Sequence, residues 1–223
     1  MLKSFYSLIV FCILSGIDIQ YASAQYAEDF RAKVVLEKTY TDVKGSPYFF
    51  DYWSLGVVKM ASGASYKDMS LKYDQVTGEL IFKDKDGKYL GFADPIAEFK
   101  LIDKTDSFRI FRSGLKATDG NSDKSFFEVL YDGSTTLLRD PQKNIVEHRA
   151  YNSSTAVKSI VETPAYYVLV NDQLVKIKKD KKSILGVLTN PDQLDKYIND
   201  NKLNLKDDRD LAKLMLYYDS IKG

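Results

Sequence analysis

The sequence predicts a mainly β fold, α+β overall: an antiparallel β meander, curved or closed into a barrel, followed by a C-terminal helical region. Three observations carry this. Between residues 48 and 180, short apolar or alternating runs follow one another, separated by turn signals. The apolar residues of the first three runs fall on one face under a single choice of loop lengths. After Lys182 the apolar period changes from two to that of a helix. The chain divides accordingly into a signal peptide (1–24), an antiparallel β-rich domain (25–182) and a C-terminal helical region packed on the sheet (183–223).

The first segment, MLKSFYSLIVFCILSGIDIQYASAQ, places Lys3 before an apolar run from Phe5 to Ile17 and then Ala22-Ser23-Ala24. This is the order of a secretory signal peptide, with cleavage expected after Ala24. The apolar run is short for a bilayer span, which needs about 20 residues, so no transmembrane helix is expected in the mature chain. Cleavage leaves 199 residues (223 less 24) and removes Cys12, the one cysteine. A cysteine-free mature chain excludes thiol catalysis and cysteine-held metal, and a domain of this size buries a core without disulfides. Net charge is +1 and stays so, because Lys3 and Asp18 leave together; nucleic acid is not an expected partner.

After the loop-like Gly45-Ser46-Pro47 comes Tyr48-Phe49-Phe50-Asp51-Tyr52-Trp53. In extended chain, alternate side chains point to opposite faces, so part of this set anchors the core. Core packing is the expected role of such large rings; those left exposed, with Tyr48, Tyr52 and Trp53 as candidate ligand-binding residues, would form a stacking platform for a sugar or another flat ligand. The strands expected next are Met69 to Asp74, Glu79 to Lys83 and Lys88 to Phe92. A four-residue loop over Gln75 to Gly78 sets Tyr73 opposite Leu80 and Leu71 opposite Phe82. A three-residue loop over Lys85 to Gly87 sets Phe82 opposite Leu90 and Leu80 opposite Phe92. A two-residue Asp86-Gly87 turn would instead split the apolar residues between faces.

Further strands are expected over Glu98 to Ile102, Phe108 to Phe111, Phe126 to Tyr131, Thr135 to Arg139, Ile145 to Tyr151, Tyr166 to Val170 and Leu174 to Lys178. Residues Phe127 to Asp140 echo Tyr167 to Asp180. Each copy reads as strand, tight turn and a second strand ending in positive charge, so two similar hairpins are expected. The basic run Lys176 to Lys182 reads as a solvated strand end. Asn190-Pro191 then marks a helix start, and Leu194, Tyr197 and Ile198 recur at helical spacing. A last helix is expected from about Asp207, with Leu211, Leu214, Met215, Tyr218 and Ile221 in one stripe and acidic residues at its N-terminus.

Candidate chemistry is sparse. FKDKDGK (Phe82 to Lys88) resembles part of a calcium loop, but in EF-hand register Phe82 and Ala93 fall where the first and last carboxylates belong. A hairpin turn is the expectation, with Gly87 supplying its left-handed residue. The single His148 sits among charged neighbours on an expected exposed strand, and no Gly-x-Ser-x-Gly elbow accompanies it. No catalytic residue, metal ligand or cofactor is assigned.

The series SPYFFDYWSLGVVKMASGASYKDMSLKYD, ELIFKDKDG, ADPIAEF and KKSIL…LDKYINDNKLNLKDDRDLAKLMLYYDSI resembles an uncharacterised family of exported proteins from Bacteroidota-type bacteria. The resemblance implies a periplasmic, outer-membrane-associated or secreted location and transfers no reaction or ligand. The expected function is therefore a non-enzymatic binding or cell-envelope structural role, with an envelope protein, lipid or glycan as partner. The alternative is a small-ligand (lipid or glycan) binder of barrel-like form. A hydrolase, assembled from residues distant in sequence, is a third reading.

Overall fold

A computed structural model describes residues 31–35, 40–115, 122–149, 156–171 and 173–222. The expected signal peptide and Cys12 lie outside the described residues. The strands are β1 (Ala32–Val34), β2 (Val43–Lys44), β3 (Ser54–Met60), β4 (Ser65–Asp74), β5 (Glu79–Lys83), β6 (Tyr89–Phe92), β7 (Ile96–Ile102), β8 (Phe108–Arg112), β9 (Phe127–Asp132), β10 (Thr136–Asp140), β11 (Lys143–Arg149), β12 (Ala156–Glu162), β13 (Ala165–Val170) and β14 (Gln173–Ile177). The helices are α1 (Lys181–Leu185), α2 (Pro191–Asp200) and α3 (Asp208–Ile221).

Eleven strands form one antiparallel sheet in the order β1-β6-β5-β4-β3-β7-β8-β9-β10-β13-β14, and β11-β12-β2 form a second, smaller sheet. The large sheet is open, so of the two expected forms the barrel is not adopted. Turn chemistry fixes its register. Asp74 Oδ1 accepts from the Val76 and Thr77 N–H groups, and Leu71 pairs with Phe82 and Tyr73 with Leu80. In the next turn the Asp84 N–H donates to Lys88 O and Gly87 carries φ +78°, so the loop is three residues long and Phe82 meets Leu90. The turn from Asp103 to Ser107 repeats this geometry, with Asp106 at φ +57° in the place of Gly87.

This register gathers Val58, Leu71, Tyr73, Leu80, Phe82, Phe99, Leu101 and Phe111 into one core on the inner face. Phe99 and Phe111 stack at 4.6 Å there. Each large side chain so buried contributes about 1.5–3 kcal/mol. Burial pushes the Tyr73 hydroxyl well above its ordinary pKa, and the carboxylates of Asp140 and Asp74 add to the effect. The outer face of β9, β10 and β13 carries a smaller cluster of Phe127, Leu138 and Tyr167.

The two echoing hairpins, β9–β10 and β13–β14, lie side by side through β10 and β13. The helices pack on them: Leu137, Val168 and Ile177 meet Ile184, Leu194, Ile198, Leu211, Leu214, Met215 and Tyr218 in a second core. The α3 stripe is thus core-facing. Its N-cap Asp207 accepts from the Arg209 and Asp210 N–H groups. At the other end, Asp219 accepts from the Tyr131 hydroxyl (2.9 Å) and the Thr135 N–H (3.1 Å) and pairs with Lys222. Burial opposes the charge of Asp219, but the bonds from Thr135, Lys222 and Tyr131 outweigh it and hold the carboxyl well below the usual carboxylate range.

Some elements differ from expectation. Helix α2 starts at Pro191 as its sequence indicates, yet Asn190 sits at φ +58° and makes no side-chain cap bond. Lys181 and Lys182, at the end of the basic run, open helix α1, which Asp180 caps by accepting from the Ser183 N–H. Tyr48 to Trp53 is a bent segment joined to β4 by a single Tyr48–Asp74 bridge, not a strand. Strand β3, an interior strand of the sheet between β4 and β7, was not expected. Its inward positions include Ser54 and Gly56, which conceal the alternation. An alanine Cβ at position 56 would lie 2.2 Å from Lys100 O, so glycine is what lets β7 approach.

Candidate functional site

The alternation that turns Leu71, Phe82 and Leu90 inward turns Lys72, Lys83 and Tyr89 outward. Lys83 pairs directly with Tyr89, and Lys72 pairs with Ile81, two residues before Lys83. The bent segment delivers Tyr48 and Trp53 to the same outer surface, while Phe49 turns into the core against Phe111. Rings and ammonium groups alternate there. Lys72 Nζ lies 4.0 Å from the Tyr48 ring and 5.7 Å from Trp53. Lys83 Nζ lies 4.7 Å from Trp53 and 5.6 Å from Tyr89, and the Trp53 and Tyr89 rings are 5.1 Å apart.

All five side chains are half-buried. Each ammonium-ring contact contributes about 0.5–1 kcal/mol at such exposure, which fixes the lysines without withdrawing them from solvent. The surface therefore combines flat apolar faces with positive charge held between them. It is suited to a ligand that has both ring faces and anionic groups.

Of the three aromatics singled out from the sequence, Tyr48 and Trp53 belong to this row. Tyr52 does not: it stacks on Phe50 at 5.0 Å and carries Lys104 over its ring. The lysines and Tyr89 went unrecognised because they come from other strands. The meander register was the signal for them, since fixing the inward set also fixes the outward one.

A second feature is a cavity of about 530 Å³ lined by Leu80, Phe92, Ile96 and Phe126 with Glu79 and Asp94 among its polar groups. Its volume falls in the range of small-ligand sites, about 300–1,000 Å³. His148 is exposed on β11. Among the described residues, no group of three or more His, Cys, Asp and Glu is placed to hold a metal ion, and no helix is long and apolar enough to cross a membrane. Comparison with protein-family models, curated proteins and solved structures finds no match.

Proposed function

We propose that this chain is an exported, non-enzymatic binding protein of the cell envelope that takes an acidic glycan on the row Tyr48, Lys72, Trp53, Lys83 and Tyr89. The observation that carries the proposal is the alternation of rings and ammonium groups on one half-buried surface. Sugar rings present C–H faces that stack on aromatics, and their carboxylate or sulfate groups meet the lysines. The order of the leader segment and the resemblance to exported proteins support a periplasmic, outer-membrane-associated or secreted setting. Affinity electrophoresis in gels containing polygalacturonate or neutral dextran tests the reading. Retardation is expected in the acidic gel alone, lost in Trp53→Ala; equal migration in both gels contradicts it.

A second reading rests on the 530 Å³ cavity, whose largely apolar wall suits a small lipid or other apolar molecule. Native mass spectrometry of protein recovered from its own host tests it. An adduct that survives gentle ionisation supports the reading, and a clean apo mass counts against it.

A further inference from the structure

Between the two inner-face cores the sheet carries charge instead of hydrocarbon. Glu128 of β9, 1% exposed at its side chain, is shared by two guanidinium groups: Arg109 of β8 donates to its Oε1 through Nε and Nη2, and Arg139 of β10 pairs with Oε2. Arg139 also faces Asp208 at 3.4 Å, and Lys179 bonds the same carboxylate at 2.6 Å. Desolvation works against the charge of Arg139, but Glu128 and Asp208 outweigh it and raise its pKa, so the group stays a cation. The chain thus runs cation, anion, cation, anion, cation across the seam.

This network leaves one donor and one acceptor without a hydrogen bond among the described residues, the buried Nε–H of Arg139 and the buried Oε2 of Glu128. Arg109 and Arg139 both line a cavity of about 220 Å³ beside it. A buried donor left unpaired costs about 1–3 kcal/mol. The Phe49 ring lies 5.2 Å from the Arg109 guanidinium carbon and 5.9 Å from that of Arg139. Phe50, Pro141 and Pro164 supply further apolar wall.

We propose that this cavity binds a small monocarboxylate, whose oxygens meet the two guanidinium groups and whose apolar body lies against Phe49 and Phe50. Planar guanidinium forks match a carboxylate in geometry. At about 30 Å³ per water the space holds roughly seven waters, which limits the ligand to about ten heavy atoms. One negative charge fits better than two, because Glu128 already takes part of the positive field and Glu162 is itself among the residues that line the cavity. The site is on the inner face and shares no residue with the aromatic-lysine row, so its failure would leave that reading untouched.

The test is titration of the unmodified protein with propionate and benzoate, followed by thermal unfolding and by the arginine Nε–H resonances, with propionamide and inorganic phosphate in parallel. Saturable binding of benzoate is expected, with a rise in Tm and a shift of the Arg139 Nε–H signal, no response to propionamide and a weaker one to phosphate. Arg109→Lys should weaken benzoate at least tenfold. If that variant fails to fold, the Nε–H signal of the unmodified protein decides. An unmoved Arg139 resonance at saturating benzoate, equal binding of the amide, or tighter binding of phosphate would overturn the proposal.

Discussion

Replacing Gly133 by alanine should detach the last helix from the sheet at one point. Gly133 closes the β9–β10 turn beneath the end of α3. A Cβ added there would lie 2.3 Å from Asp219 Oδ2 and 2.4 Å from the Tyr131 hydroxyl. Both are partners in the clamp in which Asp219 accepts from Tyr131 and Thr135. One or both bonds must therefore break or lengthen. A hydrogen bond to a charged group contributes about 1.5–3 kcal/mol, so Gly133→Ala should lower unfolding free energy by about 2–4 kcal/mol. Urea denaturation measures this, with the midpoint falling and the slope unchanged.

The same clamp has a pH signature. The folded Asp219 carboxyl titrates below its unfolded value of about 3.9. Its contribution is complete above the unfolded value and is lost as pH falls through the folded one. The stability gap between the natural protein and Asp219→Asn should thus stay level from pH 7 to about 5 and close below about pH 4. A Gly133→Ala loss under about 0.5 kcal/mol, or a gap that does not depend on pH, would refute the reasoning.

Other consequences are open to direct measurement. Gly56→Ala should cost about 3 kcal/mol or more, because the new Cβ meets the Lys100 carbonyl of the neighbouring strand and one strand must move; a variant of natural urea midpoint would contradict the packing described. In the two matched turns, Gly87→Val should destabilise by about 1–2 kcal/mol and Asp106→Gly should stabilise by about 0.5–1 kcal/mol, since both positions are left-handed. Thermal unfolding of the pair checks the sign of each. Leu214→Ala, on the fully buried face of α3, should cost about 2–5 kcal/mol, and a loss below about 1 kcal/mol would mean that the helix is not seated on the sheet.

Much of the fold was legible because period two is a strong signal wherever large apolar residues supply it. Leu71, Tyr73, Leu80 and Phe82 alternate cleanly, and the turn residues Asp74 and Gly87 fix loop lengths that admit one register. Strand β3 was illegible for the opposite reason. Two of its four inward positions are Ser54 and Gly56, while Leu55, 56% exposed, points outward. Strand β12 is mostly exposed or half-buried and presents no apolar face to read. Sheet closure depends on curvature accumulated over many strands, which local pattern does not encode.

The candidate site divides in the same way. Tyr48 and Trp53 stood out by composition, but what converts them into a row is cross-strand pairing with Lys72, Lys83 and Tyr89. The arginine seam was not visible at all. Arg109, Glu128 and Arg139 are ordinary strand residues until β8, β9 and β10 are set side by side.

Trp53 is the single tryptophan of the chain and lies within the proposed glycan row, so its fluorescence reports on that site alone. Titration with oligogalacturonate at low and moderate salt is the most direct test. The account predicts a saturable change in Trp53 emission, at least tenfold weaker in Lys72→Ala/Lys83→Ala, weakening further as salt screens the lysines, and absent with neutral dextran oligosaccharides. Emission that does not respond to the acidic sugar, or responds equally to the neutral one, would contradict it.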